Sequence, residues 1–330
     1  SSFNVNWVQV LFGDPPPTPT PPPTPTPAPP GAISPYLVGS NVWENPLPPV
    51  TWDLSQEAGL KMIRIGGINY DNNLPPIWQL EEWINQIKAI GAEPMIQVSQ
   101  YDSAQECADV VYYFNVQTGN RVNYWNIGNE PWLERGRPPM STLGPIIEGY
   151  VKPIASAMKA VDPSIKIYAP DMCDYFSEAY NALLGGSNDI TGKDQYGRYY
   201  IDGVSWHRYA ETGSLASDII SRIESTRDRV DYANNLRGRT GEDALGFGIG
   251  EFNSNAGSGG PCTFDNGQQI ARIYGSLMQN DGTYATLWSM KEGGSSCSGT
   301  DFGFLNGDNS PRPSYYHMEM VSTNFTGNYA

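Results

Sequence analysis

Two glutamates in this sequence sit where chemistry could be done: Glu130 in WNIGNEPW and Glu251 in GIGEFN, each at the end of a short apolar run. Two acids facing one another can divide the work, one moving a proton while the other attacks or stabilises a developing cation. Arg64 falls in KMIRIGG, Asn129 precedes Glu130, His207 and Tyr209 lie in GVSWHRY, and Asn253 follows Glu251. Trp43, Trp132 and Trp288 lie at or just past other run ends, as do Gln97, Ser99 and Asp171. An arginine beside a carboxylate favours its charged form, and indole rings are flat apolar faces with one polar edge. Together these residue types describe an acid/base centre with aromatic platforms for sugar rings.

Each residue also has a structural reading. Either glutamate alone could be a solvated acid at a strand end, Arg64 a partner to any acid, and His207 a satisfied core histidine. The tryptophans could be core fillers, since large aromatics bury well. Two acids at corresponding run ends favour the chemical reading. Trp206 alternates with His207 and is therefore assigned to the core.

The elements that must position these residues follow from hydrophobic periodicity. Eight apolar runs occur, at 36–42, 61–67, 93–99, 124–130, 166–171, 203–209, 246–253 and 283–290. Between them, 76–90 carries Ile77, Leu80, Ile84 and Ile87 at helical spacing, and 142–161, 214–236 and 264–280 also read as helices. Near-continuous apolar strands alternating with helices imply a parallel sheet covered on both faces. Eight such units predict a closed (β/α)8 TIM barrel, whose strand C-termini converge on one mouth.

With the motifs so placed, WNIGNEPW on the fourth strand and GIGEFN on the seventh resemble the retaining glycoside hydrolase clan with catalytic carboxylates on strands four and seven. HRY on strand six, RIGG on strand two and LW on strand eight make the chain most similar to family 5, the cellulase-like family, over residues 35 to 325. A histidine usual in that family at the end of strand three is replaced by Gln97 and Ser99. RIGG and GEFN also resemble families 39, 44 and 51. The resemblance implies that Glu130 is the general acid/base and Glu251 the nucleophile. It further implies that Asn129 holds the sugar 2-hydroxyl, Arg64 and Tyr209 attend Glu251, His207 lines the site near Glu130, and Trp288 underlies the cleaved sugar. Trp43, Trp132 and Asn253 complete the expected substrate-binding set. The implied activity is retaining endo-hydrolysis of β-1,4 or mixed β-1,3/1,4-glucan, with a β-mannanase or xylanase as alternative and a non-catalytic polysaccharide-binding barrel as the reading of another class.

Composition is consistent with a neutral polyhydroxy ligand. Only 17% of the 330 residues are charged while 12% are aromatic, and the net charge of −15 disfavours nucleic acid and anionic membranes. No apolar run is long enough to span a bilayer. The glycines of GFGIG fall inside a strand with no Gly-rich turn leading into a helix, which argues against a dinucleotide fold. No His/Cys cluster has metal-site spacing, so catalysis is expected without metal or cofactor. Cys262 and Cys297 lie in two Gly/Ser-rich loops that the barrel makes neighbours and are the candidate disulfide. Cys107 and Cys173 could pair or remain free.

Residues 14–30, DPPPTPTPPPTPTPAPP, read as an extended Pro/Thr linker of about 50 Å. Residues 1–13 alternate apolar and polar side chains around Trp7. They are expected to dock, either on the chain's own barrel or at the cleft of another copy in a homo-oligomer. Residues 31–330 form the predicted catalytic domain. The linker points to secretion, with export resting on a leader absent from this sequence.

Overall fold

A computed structural model describes residues 32–44 and 46–327. The proposed docking tail with Trp7, the linker, and hence the oligomer expected through them lie outside the described residues.

Eight parallel strands close on themselves in sequence order: β1 (Val38–Val42), β2 (Met62–Ile65), β3 (Glu93–Val98), β4 (Tyr124–Ile127), β5 (Lys166–Met172), β6 (Gly203–Ala210), β7 (Gly246–Ser254) and β8 (Tyr284–Leu287). The barrel is sealed by β1 against β8, with Gly39 opposite Thr286. All eight expected runs are strands. Several are shorter than the run that announced them, because an apolar run continues into the buried turn beyond the last ladder partner. The four expected helices are Ile77–Ala89, Met140–Val161, Leu215–Arg237 and Phe264–Gln279. Leu80, Trp83, Ile84 and Ile87 form the buried stripe of the first of these. Among the described residues six more helices are present: Pro49–Glu57, Ile68–Asn72, Ala104–Tyr112, Pro131–Glu134, Ser177–Leu183 and Pro313–Asn324.

The strands face two interiors. Outward side chains pack under the helices, where Trp206 is fully buried and its indole N–H donates to Thr226 Oγ1 at 3.0 Å. Inward side chains fill the barrel in layers. Met62, Met95, Tyr168 and Tyr284 make an apolar floor at the N-terminal end, with Tyr36 and Tyr124 against it. Above this floor the filling turns polar, with Asn41, Arg64, Asn126 and Ser205 all fully buried.

β7 carries one extra residue relative to both neighbours. Trp206 pairs with Ile249 but His207 pairs with Glu251, so Gly250 is a bulge. Its displaced carbonyl accepts from Asn41 Nδ2 at 3.0 Å and Thr286 Oγ1 at 2.5 Å. Without the bulge, strict alternation after the outward Ile249 would carry residue 251 to the outer face; the extra residue turns Glu251 into the mouth.

The loops after β7 and β8 are joined by the Cys262–Cys297 disulfide, with Cα atoms 5.7 Å apart. The β8 loop is pinned again where Arg312 Nη2 pairs with Asp301 at 2.8 Å and Nη1 donates to the Gly303 carbonyl at 2.6 Å. Cys107 is a buried free thiol and Cys173 a half-buried one.

Candidate active site

The strand C-termini surround a cavity of about 300 Å3. Glu130, Glu251, Asn129, Tyr209, Trp43 and Trp288 line it, with Gly66, Gly67, Ile68, Asn69, Tyr70, Glu292, Thr300 and Phe302. Of the expected site residues, Arg64, His207, Asn253 and Trp132 are not in the wall. Arg64 and His207 lie directly beneath it.

Glu251 Oε1 accepts from Arg64 Nη1 at 2.9 Å and Oε2 accepts from Tyr209 Oη at 2.8 Å. Arg64 is fully buried, and every face of its guanidinium is used. Nη1 also donates to Asn41 Oδ1 (2.9 Å), Nε to Asn126 Oδ1 (3.2 Å), and Nη2 to Gln97 Oε1 (3.1 Å) and Asn129 Oδ1 (2.8 Å). Nη2 lies 2.8 Å from Asp171 Oδ2 as well. A planar fork so enclosed holds a fixed orientation and passes it to Glu251.

His207 is fully buried and bridges two carboxylates, with Nδ1 3.0 Å from Glu130 Oε1 and Nε2 3.0 Å from Asp171 Oδ2. Burial disfavours its charged form, but Glu251 and Asp171 outweigh that and raise its pKa to about 10. Asp171, also fully buried, is opposed by burial yet held well below the usual carboxylate range by His207 and Arg64. Burial pushes Glu251 upward, while His207 and Arg64 pull against it. Arg64 thus does approach Glu251 as its sequence position suggested, but desolvation leaves the balance above the ordinary value rather than below it. Two cations and three carboxyls make this buried cluster neutral when the Glu130–Glu251 pair holds one proton.

One ligand atom from each of Glu130, His207 and Glu251 lies within 4.8 Å of the other two. Such a set could in principle hold a metal ion. The Arg64 guanidinium on Glu251 and a protonated His207 make it a poor cation site, because both would repel the ion.

Glu130 is placed by backbone as much as by side chain. Its φ of 41° is left-handed, unusual for a long side chain and worth on the order of 1–3 kcal/mol of strain. Its N–H donates to the Asp171 carbonyl at 2.7 Å. Pro131 then opens the short helix Pro131–Glu134. Asn129 has its Oδ1 on Arg64, its Nδ2 on Glu134 Oε1 at 3.2 Å and its backbone N–H on Asp71 Oδ2 at 3.0 Å.

The aromatic wall is a pair. Trp43 and Trp288 stack with ring centroids 6.3 Å apart and planes 15° apart. Trp288 lies against Gly67, whose φ is 120°, and a β-carbon there would fall 2.8 Å from the indole Cη2. Trp132 packs instead on Phe176, with its indole N–H on the Pro138 carbonyl. Asn253 is a bracket, its Nδ2 donating to the carbonyls of Trp288 (2.7 Å) and Phe302 (2.9 Å).

Several participants were not given roles by sequence reasoning. Asp171 was visible as a run-end acid, but nothing in the sequence said it would sit between Arg64 and His207. Glu292, Thr300 and Phe302 come from the long loop after β8, whose length was the available signal. Asp71 and Glu134 lie outside every strand and had none.

No protein-family model matches this chain, and no curated protein does. Solved structures do. The family 51 α-L-arabinofuranosidase AbfB of Bifidobacterium longum aligns with a TM-score of 0.69 at 15% identity, over 92% of this chain and 76% of that one. A family 39 enzyme from Xanthomonas axonopodis pv. citri gives 0.64 at 13% identity, over 92% and 68%. A family 44 xyloglucanase of Paenibacillus polymyxa gives 0.55 at 13% identity, over 79% and 74%. At these identities the likeness is one of fold: the chain shares its (β/α)8 barrel with glycoside hydrolases of families 51, 39 and 44.

Proposed function

We propose that this protein is a retaining glycoside hydrolase and, more narrowly, an endo-β-glucanase acting on β-1,4 or mixed β-1,3/1,4-glucan by double displacement. The observation carrying the retaining assignment is the approach of Glu130 and Glu251 to within 4.8 Å. Direct attack by one carboxylate needs the pair about 5–5.5 Å apart, whereas inversion needs about 6.5–9.5 Å to admit a water.

In the first step Glu251 attacks the anomeric carbon while Glu130 protonates the departing glycosidic oxygen. The bond to the leaving sugar breaks as the Glu251–sugar ester forms. In the second step Glu130, now a base, takes a proton from water, whose oxygen displaces Glu251. Arg64 and Tyr209 hold the two Glu251 oxygens, so the attacking carboxylate is aimed before substrate arrives. His207, kept cationic by its carboxylate neighbours, places Glu130 and steadies its charge after it has given up the proton. Trp43 and Trp288 supply the stacking face, and Asn129 offers its amide to the sugar 2-hydroxyl.

The glucan preference rests on the resemblance of WNIGNEPW, GIGEFN, HRY and LW to the cellulase-like family 5. The family 44 enzyme among the structural likenesses is, by its name, a xyloglucanase. A β-mannanase or xylanase is the alternative within the same chemistry, and product analysis on cellulose, lichenan, laminarin, mannan and xylan separates them. A binding-only barrel would show affinity without reducing-end release. Glu251→Ala should lose several orders of magnitude in kcat and regain part of it with azide, giving an α-glycosyl azide. Undiminished turnover in that variant would sink the assignment. Glu130→Ala should retain activity only on substrates with good leaving groups.

A further inference from the structure

Behind Asn129, on the side away from the cavity, two further carboxyl groups meet. Asp71 is 2% exposed. Its Oδ1 accepts the Gln100 backbone N–H at 3.0 Å, and its Oδ2 accepts Gln100 Nε2 at 2.5 Å and the Asn129 N–H at 3.0 Å. Three N–H donors mark it as the ionised member of the pair. Glu134, one helical turn past Glu130, accepts Asn129 Nδ2 through Oε1, so the two carboxyl groups meet on one asparagine, close enough for Asp71 to act on Glu134. Two carboxyl groups can share a hydrogen bond only if one of them carries a proton, and with Asp71 saturated by N–H donors that proton belongs to Glu134.

We propose that the Asp71–Glu134 acid pair is a positioning device for Asn129, and that its shared proton makes sugar binding depend on pH. Asn129 is gripped at three points, by Arg64, Asp71 and Glu134, which leaves one amide hydrogen for the cavity. Loss of the Glu134 proton to solvent sets two anions against each other beside that amide. Glu134 must then swing from Asp71, and its hold on Asn129 Nδ2 goes with it.

The surroundings favour the protonated form near neutrality. Burial, with Asp71 next, raises the Glu134 pKa to about 8. Glu130 faces it from the same turn and adds to the rise. From the β3 side come Tyr101, whose hydroxyl donates to the Glu134 carbonyl, and Asp102, which Asp71 itself perturbs. Of the nearby cations, Arg64 meets Asn129 on its Oδ1 side, and Arg135 is turned away from Glu134. Its Nε donates to Gln100 Oε1 at 2.7 Å and its guanidinium lies over the Tyr101 and Tyr150 rings.

The test rests on the glucan reading only through its probe. In a Glu130→Gln background, which removes turnover and the titration of the acid/base, the affinity for cellotetraose is measured from about pH 6 to 9. With Glu130 present His207 titrates at about 10, above this range; because His207 is common to both variants, the difference between their profiles is what is read. Affinity is expected to fall about tenfold as pH passes 8, and adding Glu134→Gln, which keeps a donor toward Asp71 but cannot ionise, should abolish the fall. A fall that persists in the double variant, or a flat profile in the parent, would overturn the proposal. Should cellotetraose fail to bind at any pH, the glucan reading is wrong and infrared spectroscopy decides on the pair. A protonated-carboxyl band present at pH 7, lost by pH 9 and missing from Glu134→Gln supports it; a band unaffected by Glu134→Gln refutes it.

Discussion

His207 shows how the buried cluster ties stability to pH. Its pKa of about 10 in the fold exceeds the ordinary 6.5, so the folded protein binds this proton more tightly than the unfolded chain. The resulting stabilisation is complete below about pH 6.5 and disappears as pH rises through about 10. Asp171 runs the other way. Its folded value lies below the ordinary 3.8, so its contribution is present above that value and is lost on acidification. His207→Gln should therefore melt well below the wild type at pH 7, and the gap in Tm should narrow towards pH 10. A gap that stays constant over that range would rule out a charged His207. At this scale the sequence spoke clearly for residues whose position was set by a strand end: Glu130, Glu251, Arg64 and Tyr209. It said little about Asp71 and Glu134, which meet Asn129 only because the β2 loop and the turn after β4 fold over the same spot.

Among the elements, β7 shows most directly how backbone sets chemistry. The bulge at Gly250 lets Ile249 face the helices and Glu251 face the cavity with one residue between them. A β-carbon at Gly250 would collide with the Asp171 carboxylate. Gly250→Ala should therefore displace Asp171, loosening Arg64 and His207 with it. We expect a loss of about 1–3 kcal/mol in chemical denaturation and a larger proportional loss in kcat than in KM. An alanine variant with native stability and native kcat would show that the bulge tolerates a side chain. The alternation in GFGIGEFN announced a strand, but an inserted residue breaks that alternation without leaving its own signature, so the bulge that turns Glu251 into the cavity was not readable. The unread helices have a similar explanation. Pro49–Glu57 is short with a weakly segregated apolar face, and Ser177–Leu183 spans barely two turns.

On the scale of the molecule, the barrel was the most readable feature, because eight alternations of strand and helix leave few other closed arrangements. What alternation could not convey was the long connection after β8 and its role in the wall. The disulfide ties that connection to the β7 loop across a sequence separation of 35 residues. Opening it by Cys297→Ser should cost about 3–4 kcal/mol if the chain-entropy term dominates. Thr300 and Phe302 reach the cavity from the tethered segment, so KM should rise severalfold while kcat changes less. Equal Tm and KM for the serine variant and the parent would mean that the Arg312–Asp301 pair alone holds the loop.

The floor of Met62, Met95, Tyr168 and Tyr284 bears on the order of events during turnover. Among the described residues this floor plugs the barrel from below, so under the double displacement proposed above the water that frees Glu251 would enter by the mouth through which the leaving sugar would depart. Water and a second carbohydrate acceptor therefore queue at one entrance. Under that proposal the closed floor would tie the ratio of hydrolysis to transglycosylation to how crowded the entrance is, so that a barrel packed for stability would also set which molecule inherits the cleaved sugar.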